Sequence, residues 1–229
     1  MDTSYEPVTK APPGTRVFLR PIATPLPLGF LGLAGGTFTL AGIQLDWISM
    51  LEAPIVGVVL LTFTFPLLLV AAIYGFLARD AMAATGMGVL AGAWLAIGYT
   101  MANTVPGFTS GALGLLLLAA GVALVIPLLS AGLGKLAASA VLAFAALRFF
   151  LTGAYELSSD AAWRTAAGVV GLILAAVAVC AALAFESELL RKRPLLPTLR
   201  RGEGRDVMTE PAEEETADLH REAGVRRRL

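Results

Sequence analysis

The chain has 229 residues, 17 basic and 17 acidic, a formal charge of zero, 57% apolar residues and 15% charged ones. Soluble domains carry about 45–50% apolar and about 25% charged residues. Nucleic-acid binding through bulk positive charge, global disorder and, with Cys180 as the only cysteine, a disulfide scaffold are therefore excluded. The mean hydropathy of +0.76 points to a membrane protein.

The charges are unevenly placed. Residues 187–229 hold ten of the basic and nine of the acidic residues. The 166 residues from 21 to 186 hold only ten charges, namely Arg79, Lys135, Arg148, Arg164, Asp46, Glu52, Asp80, Glu156, Asp160 and Glu186. So few cannot cover a soluble domain, and lipid must solvate the core. In chain order, six apolar stretches predict membrane-crossing helices at about 27–46, 54–77, 82–102, 111–130, 133–153 and 162–186. Their joints carry turn residues such as Pro106-Gly107, Gly132 and Ser158-Ser159. Continuous runs such as Leu115–Ala120 lack a strand's alternation, so helices rather than a barrel satisfy the backbone. The expected fold is an all-α integral membrane protein of six transmembrane helices.

Six crossings place both termini on one side. Lys10, Arg16, Arg20, Arg79, Lys135 and Arg191-Lys192-Arg193 share that side, while Asp46, Glu52, Glu156 and Asp160 lie opposite, with only Arg164 as a basic residue there. The positive-inside rule predicts both termini in the cytoplasm. The division is a cytoplasmic tail over 1–20, a transmembrane domain over 21–190 and a charged, disordered cytoplasmic tail over 191–229. The basic clusters of the last are suited to anionic lipid. No cleavable signal peptide is visible.

Chemistry-bearing residues are scarce. His220 lies in the tail and Cys180 stands alone, and no metal-ligand or nucleophile–base spacing exists. No catalytic residue, metal or cofactor is expected. Thr37, Thr39, Thr62, Thr64, Thr85, Thr100, Ser139 and Thr152 fall within spans. Each either bonds its own backbone or offers a hydroxyl to a passing solute. Glycines four apart, Gly32 and Gly36, then Gly88 and Gly92, and the pair Gly168 and Gly171, either pack helices or leave room for a solute.

Arg148 is the one charge inside a span. It stands about five residues short of the predicted outer end of the fifth helix, a depth of about 7–8 Å that a snorkelling side chain reaches. It reads either as a structural arginine, with Glu156, Asp46 or Glu52 as partner, or as a positive point that draws an anion to the outer mouth. No carboxylate lies near mid-membrane, so in proton-coupled transport the proton would travel with the solute as a neutral weak acid.

At the first span the chain reads Thr24-Pro25-Leu26-Pro27-Leu28-Gly29-Phe30. This resembles Asn-Pro-Ala-Pro-Leu-Gly-Leu, the signature of the acetate uptake transporter family (the GPR1/FUN34/YaaH family). Tyr74-Gly75-Phe76, Ala84-Thr85-Gly86, Gly92-Ala93-Trp94 and Arg193-Pro194-Leu195-Leu196-Pro197 are similar to further family pieces and follow in the same order. The resemblance spans about 21–200. It implies six helices per protomer, a hexameric assembly and a solute path through each protomer for acetate, succinate or related monocarboxylates. That path would be lined by Thr24, Pro25, Pro27 and Gly29, with an apolar constriction near Leu33 and Leu90. The chain departs from the pattern at Thr24 (asparagine in the family), at Gly75 (glutamate) and at Leu33 and Leu90 (aromatic).

The function expected is a membrane transporter or channel for short monocarboxylates such as acetate. Alternatives are a channel for a neutral solute such as urea or an amide, and a non-transporting scaffold acting through its tail. Expected partners are the lipid bilayer, a small solute and further copies of the chain.

Overall fold

A computed structural model describes residues 23–131 and 135–190. Among them six helices are long and apolar enough to cross a membrane, and there is no strand. They are α1 (Leu26–Gln44), α2 (Met50–Leu77), α3 (Ala81–Asn103), α4 (Gly111–Ala131), α5 (Leu136–Ser158) and α6 (Ala161–Leu190). The expected cytoplasmic tails over 1–20 and 191–229 lie outside the described residues.

Each boundary has a local cause. Pro25 and Pro27 open α1, where the first amides have no helical partner to lose. Asp46 and Arg79, both with positive φ, end the turns after α1 and α2. Asp80 caps α3, its Oδ1 accepting from Ala83 N at 3.1 Å. Ser159, also left-handed, stops α5. Inside α2 one turn, Leu60–Thr64, widens to π geometry directly before Pro66. Proline lacks an amide and its ring crowds the carbonyl four residues back, and the wider turn relieves both.

Several span ends differ from those expected, α6 running on to Leu190 and α5 starting only at Leu136. α2 begins four residues early, in a 3-10 turn at Met50–Glu52 whose Leu51 amide donates to Ser49 Oγ. α5 does not stop at Gly153 but runs to Ser158. Gly153 is a packing position: a Cβ there would stand 3.0 Å from the carbonyl oxygen of Gly114 on α4.

The helices close into a ring. α1 packs on α6, α6 on α5, α5 on α4, α4 on α3, α3 on α2, and α2 back on α1. α1 and α6 are antiparallel, since Phe30 meets Phe185 at one end and Gly168 meets Leu45 and Gln44 at the other. One end of the ring, the basic end, carries Arg79 and the Lys135–Asp80 ion pair. The acidic end carries Asp46, Glu52, Glu156 and Asp160.

Large apolar side chains cover the outside, with Leu77, Leu115, Ile126 and Leu129 more than half exposed. Water would penalise that surface, but hydrocarbon does not. The interior draws on all six helices, including Phe30, Leu60, Trp94, Leu117, Phe149 and Phe185. Gly75 has its own packing reason. A Cβ there would lie 2.6 Å from the backbone nitrogen of Ala84, so no glutamate fits at that position.

Candidate functional site

Two helix faces build the centre of the ring. On α1, Ile43, Leu40, Leu33, Phe30 and Leu26 are spaced three, four or seven apart and share one buried face. On α3, Ile97, Trp94, Leu90 and Met87 do the same. At the acidic end these faces part around a cavity of about 60 Å³. Leu40, Ile43 and Ile97 form its apolar wall. Its polar lining is Gln44, Thr100, Thr104, Thr152, Tyr155, Glu156 and Arg164, the last paired with Asp46. At roughly 10–15 Å³ per water centre, the space suits a solute of a few non-hydrogen atoms.

Behind the lining residue Gln44 lies Arg148. The side chain is 1% exposed and points inward from α5. Its Nη1 donates to the Thr37 carbonyl at 2.9 Å, and its Nη2 donates to Gln44 Oε1 at 3.0 Å. Its guanidinium carbon stands 5.5 Å from the Trp94 ring centroid, within cation–π range. Gln44 in turn donates from Nε2 to Thr152 Oγ1 at 3.4 Å. α6 provides the room. A Cβ at Gly171 would meet Arg148 Nη1 at 2.7 Å, and one at Gly168 would meet Gln44 Cβ at 3.1 Å.

This corrects the depth read for Arg148. With α5 reaching Ser158, the residue stands ten positions from the helix end, about 15 Å along the axis, and its head turns inward rather than to the surface. The three expected partners are absent from its shell. Asp46 Oδ2 accepts from Arg164 Nη2 at 2.8 Å, and Glu156 Oε2 accepts from Ser110 N at 2.7 Å. Glu52 is exposed. Among the described residues no carboxylate pairs with Arg148.

Below this level the centre is apolar and closed. Leu33 and Leu90 are both 0% exposed and belong to one core cluster with Phe30, Met87 and Trp94. Gly29 is buried where a Cβ would meet Met87 Sδ at 2.7 Å. Pro25 and Pro27 are buried, and Thr24 is half-buried with its Oγ1 3.5 Å from the Leu26 amide. Thr24 lies twenty residues before Gln44, about 30 Å along the axis. The structure thus puts Arg148 near the cavity, Leu33 and Leu90 in the closed centre, and Thr24 and Pro25 at the basic end.

Gln44 and Trp94 escaped the sequence reading as site residues. Gln44 is the only glutamine in the chain and the last residue of a span, a usable signal. Trp94 gave none, because a tryptophan in an apolar helix reads as core. The hydroxyls divide: Thr39 and Thr62 donate to their own helix carbonyls at 2.9 and 2.8 Å, while Thr37 and Thr64 hold buried Oγ1 atoms without partners.

Fold and centre together define a multi-pass membrane protein, a ring of six apolar helices around a buried polar group. The chain is similar to the solved structure of the bacterial acetate channel SatP, with a TM-score of 0.67 and 20% identity over 76% of this chain and 98% of that one. No family model matches the sequence, and no curated protein does.

Proposed function

We infer that the chain is a cell-membrane channel or transporter for short monocarboxylates such as acetate, a divergent member of the acetate uptake transporter family, with both termini cytoplasmic. One observation carries the reading: a small polar-lined cavity ends on Gln44, behind which stands a buried cation that has no carboxylate partner among the described residues, beside a closed apolar centre. A cation without a counter-charge favours an anionic solute over a neutral one such as urea. The aliphatic closure at Leu33 and Leu90 excludes hydrated inorganic ions, which keep their water at too high a cost to lose it there. A small carboxylate, or its neutral acid, presents an apolar end to that closure. Passage requires the two leucines to move apart.

The signature-like segment from Thr24 to Phe30 and the fold likeness to an acetate channel support the same reading. Assembly with further copies of the chain belongs to it as well. Gly92 supports that part, because a Cβ there would meet nothing within 4 Å inside the protomer, leaving a close-approach face unused. The test is uptake of labelled acetate by liposomes holding the purified protein. Flux no greater than in empty vesicles defeats the transport reading, and swelling in urea equal to that in acetate defeats the anion preference.

A further inference from the structure

A guanidinium withdrawn from water costs several kcal/mol unless an opposite charge and full hydrogen bonding replace its hydration. Around Arg148 the replacement is incomplete. Its partners are a carbonyl and an amide, both neutral, and a tryptophan face. Two further polar atoms in the same interior have no partner at all, the Trp94 Nε1–H and the Thr37 Oγ1, on residues that are 0% exposed. Such a centre is short of one acceptor carrying negative charge.

The cavity adjoins that centre through Gln44. Gln44 and Thr152 line the cavity, whereas Arg148 lies behind them. Gln44 Oε1 sits on the Nη2 arm where a carboxylate oxygen would bond. Its hold from the other side is weak, since the Nε2–Thr152 bond is 3.4 Å long. A neutral amide is the poorer acceptor for a guanidinium, and charge-assisted bonds are roughly twice as strong.

We propose that Arg148 is an intramembrane carboxylate-binding site capped by Gln44: a short carboxylate anion entering the cavity displaces the Gln44 amide from Nη2 and takes its place. Trp94 lies against the occupied site and reports on it. The amide is a stand-in for the ligand, and it keeps the guanidinium bonded when the site is empty. The ligand class rests on the monocarboxylate reading above, but binding at this site does not require that the solute be carried across.

Trp94 supplies the test. In purified full-length protein carrying Trp47→Phe and Trp163→Phe, Trp94 is the only tryptophan left of the three. Titration with sodium acetate at neutral pH is expected to give a saturable change in its fluorescence, and acetamide, a neutral analogue of the same size, is expected to give none. Arg148→Met should abolish the acetate response. Gln44→Leu should retain it and shift it to severalfold lower acetate, because the competing amide is gone. An equal response to acetamide, or no response to acetate in the parent, overturns the site. A Gln44→Leu titration unchanged or weakened overturns the cap. Acetate flux measured on the same preparation separates the two readings. Binding without flux defeats transport and leaves the site standing, while flux without binding defeats the site alone.

Discussion

A methyl group on Gly171 would lie 2.7 Å from Nη1 of Arg148. The sixth helix therefore gives up a side chain where the fifth needs space for a guanidinium. Gly171→Ala is expected to displace the Arg148 head from the Thr37 carbonyl or from Gln44. Overpacking costs about 1–3 kcal/mol and the gain in helix propensity offsets about 1 kcal/mol. The variant should fold with a stability change of no more than about 2 kcal/mol and lose most of its acetate uptake. Wild-type uptake in liposomes would show that guanidinium placement is irrelevant to flux.

Leu90 faces the closed centre with no exposure. Leu90→Trp adds a ring inside the buried core to which Leu33, Met87 and Trp94 also belong. It should lower acetate flux strongly while costing about 1–3 kcal/mol in stability. Flux equal to the parent, in protein with a normal thermal midpoint, would remove Leu90 from the path.

Gly57 and Gly92 form a matched pair. A Cβ at Gly57 would meet the Ala102 nitrogen at 2.6 Å and the Gly98 oxygen at 2.7 Å, both backbone atoms that cannot rotate away. Gly57→Ala must push α2 and α3 apart, and a loss of about 2–3 kcal/mol is expected. Gly92→Ala meets nothing in the protomer and should gain up to about 1 kcal/mol. Thermal midpoints in detergent compare the two directly.

Gly92→Leu tests the assembly. If that face seats a second copy, the larger side chain should shift the protein to smaller species by light-scattering chromatography. An unchanged mass would place the interface elsewhere.

Asp80 serves two helices, capping α3 through the Ala83 amide and pairing with Lys135 ahead of α5. Asp80→Ala should cost about 1–2 kcal/mol, mostly from the cap. The ion pair is part-exposed and adds little. Lys135→Met, which spares the cap, should therefore shift the thermal midpoint much less than Asp80→Ala.

The site was less legible in the sequence than the fold, for reasons that particular residues show. Arg148 stood out, because a charge in an apolar run is conspicuous. The sequence places the end of the fifth span near residue 153 and so underestimates the depth of Arg148, since α5 runs on to Ser158 with Gly153 packed against Gly114. Gly168 and Gly171 were visible as small residues, but that they seat Gln44 and Arg148 was not. Lipid explains part of this. Hydrocarbon is as apolar as a leucine core, so a transmembrane helix need not carry a polar outer face, and the pattern that reveals a soluble helix's inner side is weak.

By itself the sequence determined the six crossings, their helical nature and the basic and acidic ends. Those follow from length, hydrocarbon thickness and the demand that every backbone group be bonded within the membrane. Only the tertiary structure decided which residues meet. Arg148 and Gln44 are 104 positions apart, and their bond depends on the ring order and rotation of α1, α5 and α6. Neither is written in local periodicity, because both are set by close packing between helices whose inner and outer faces are chemically alike.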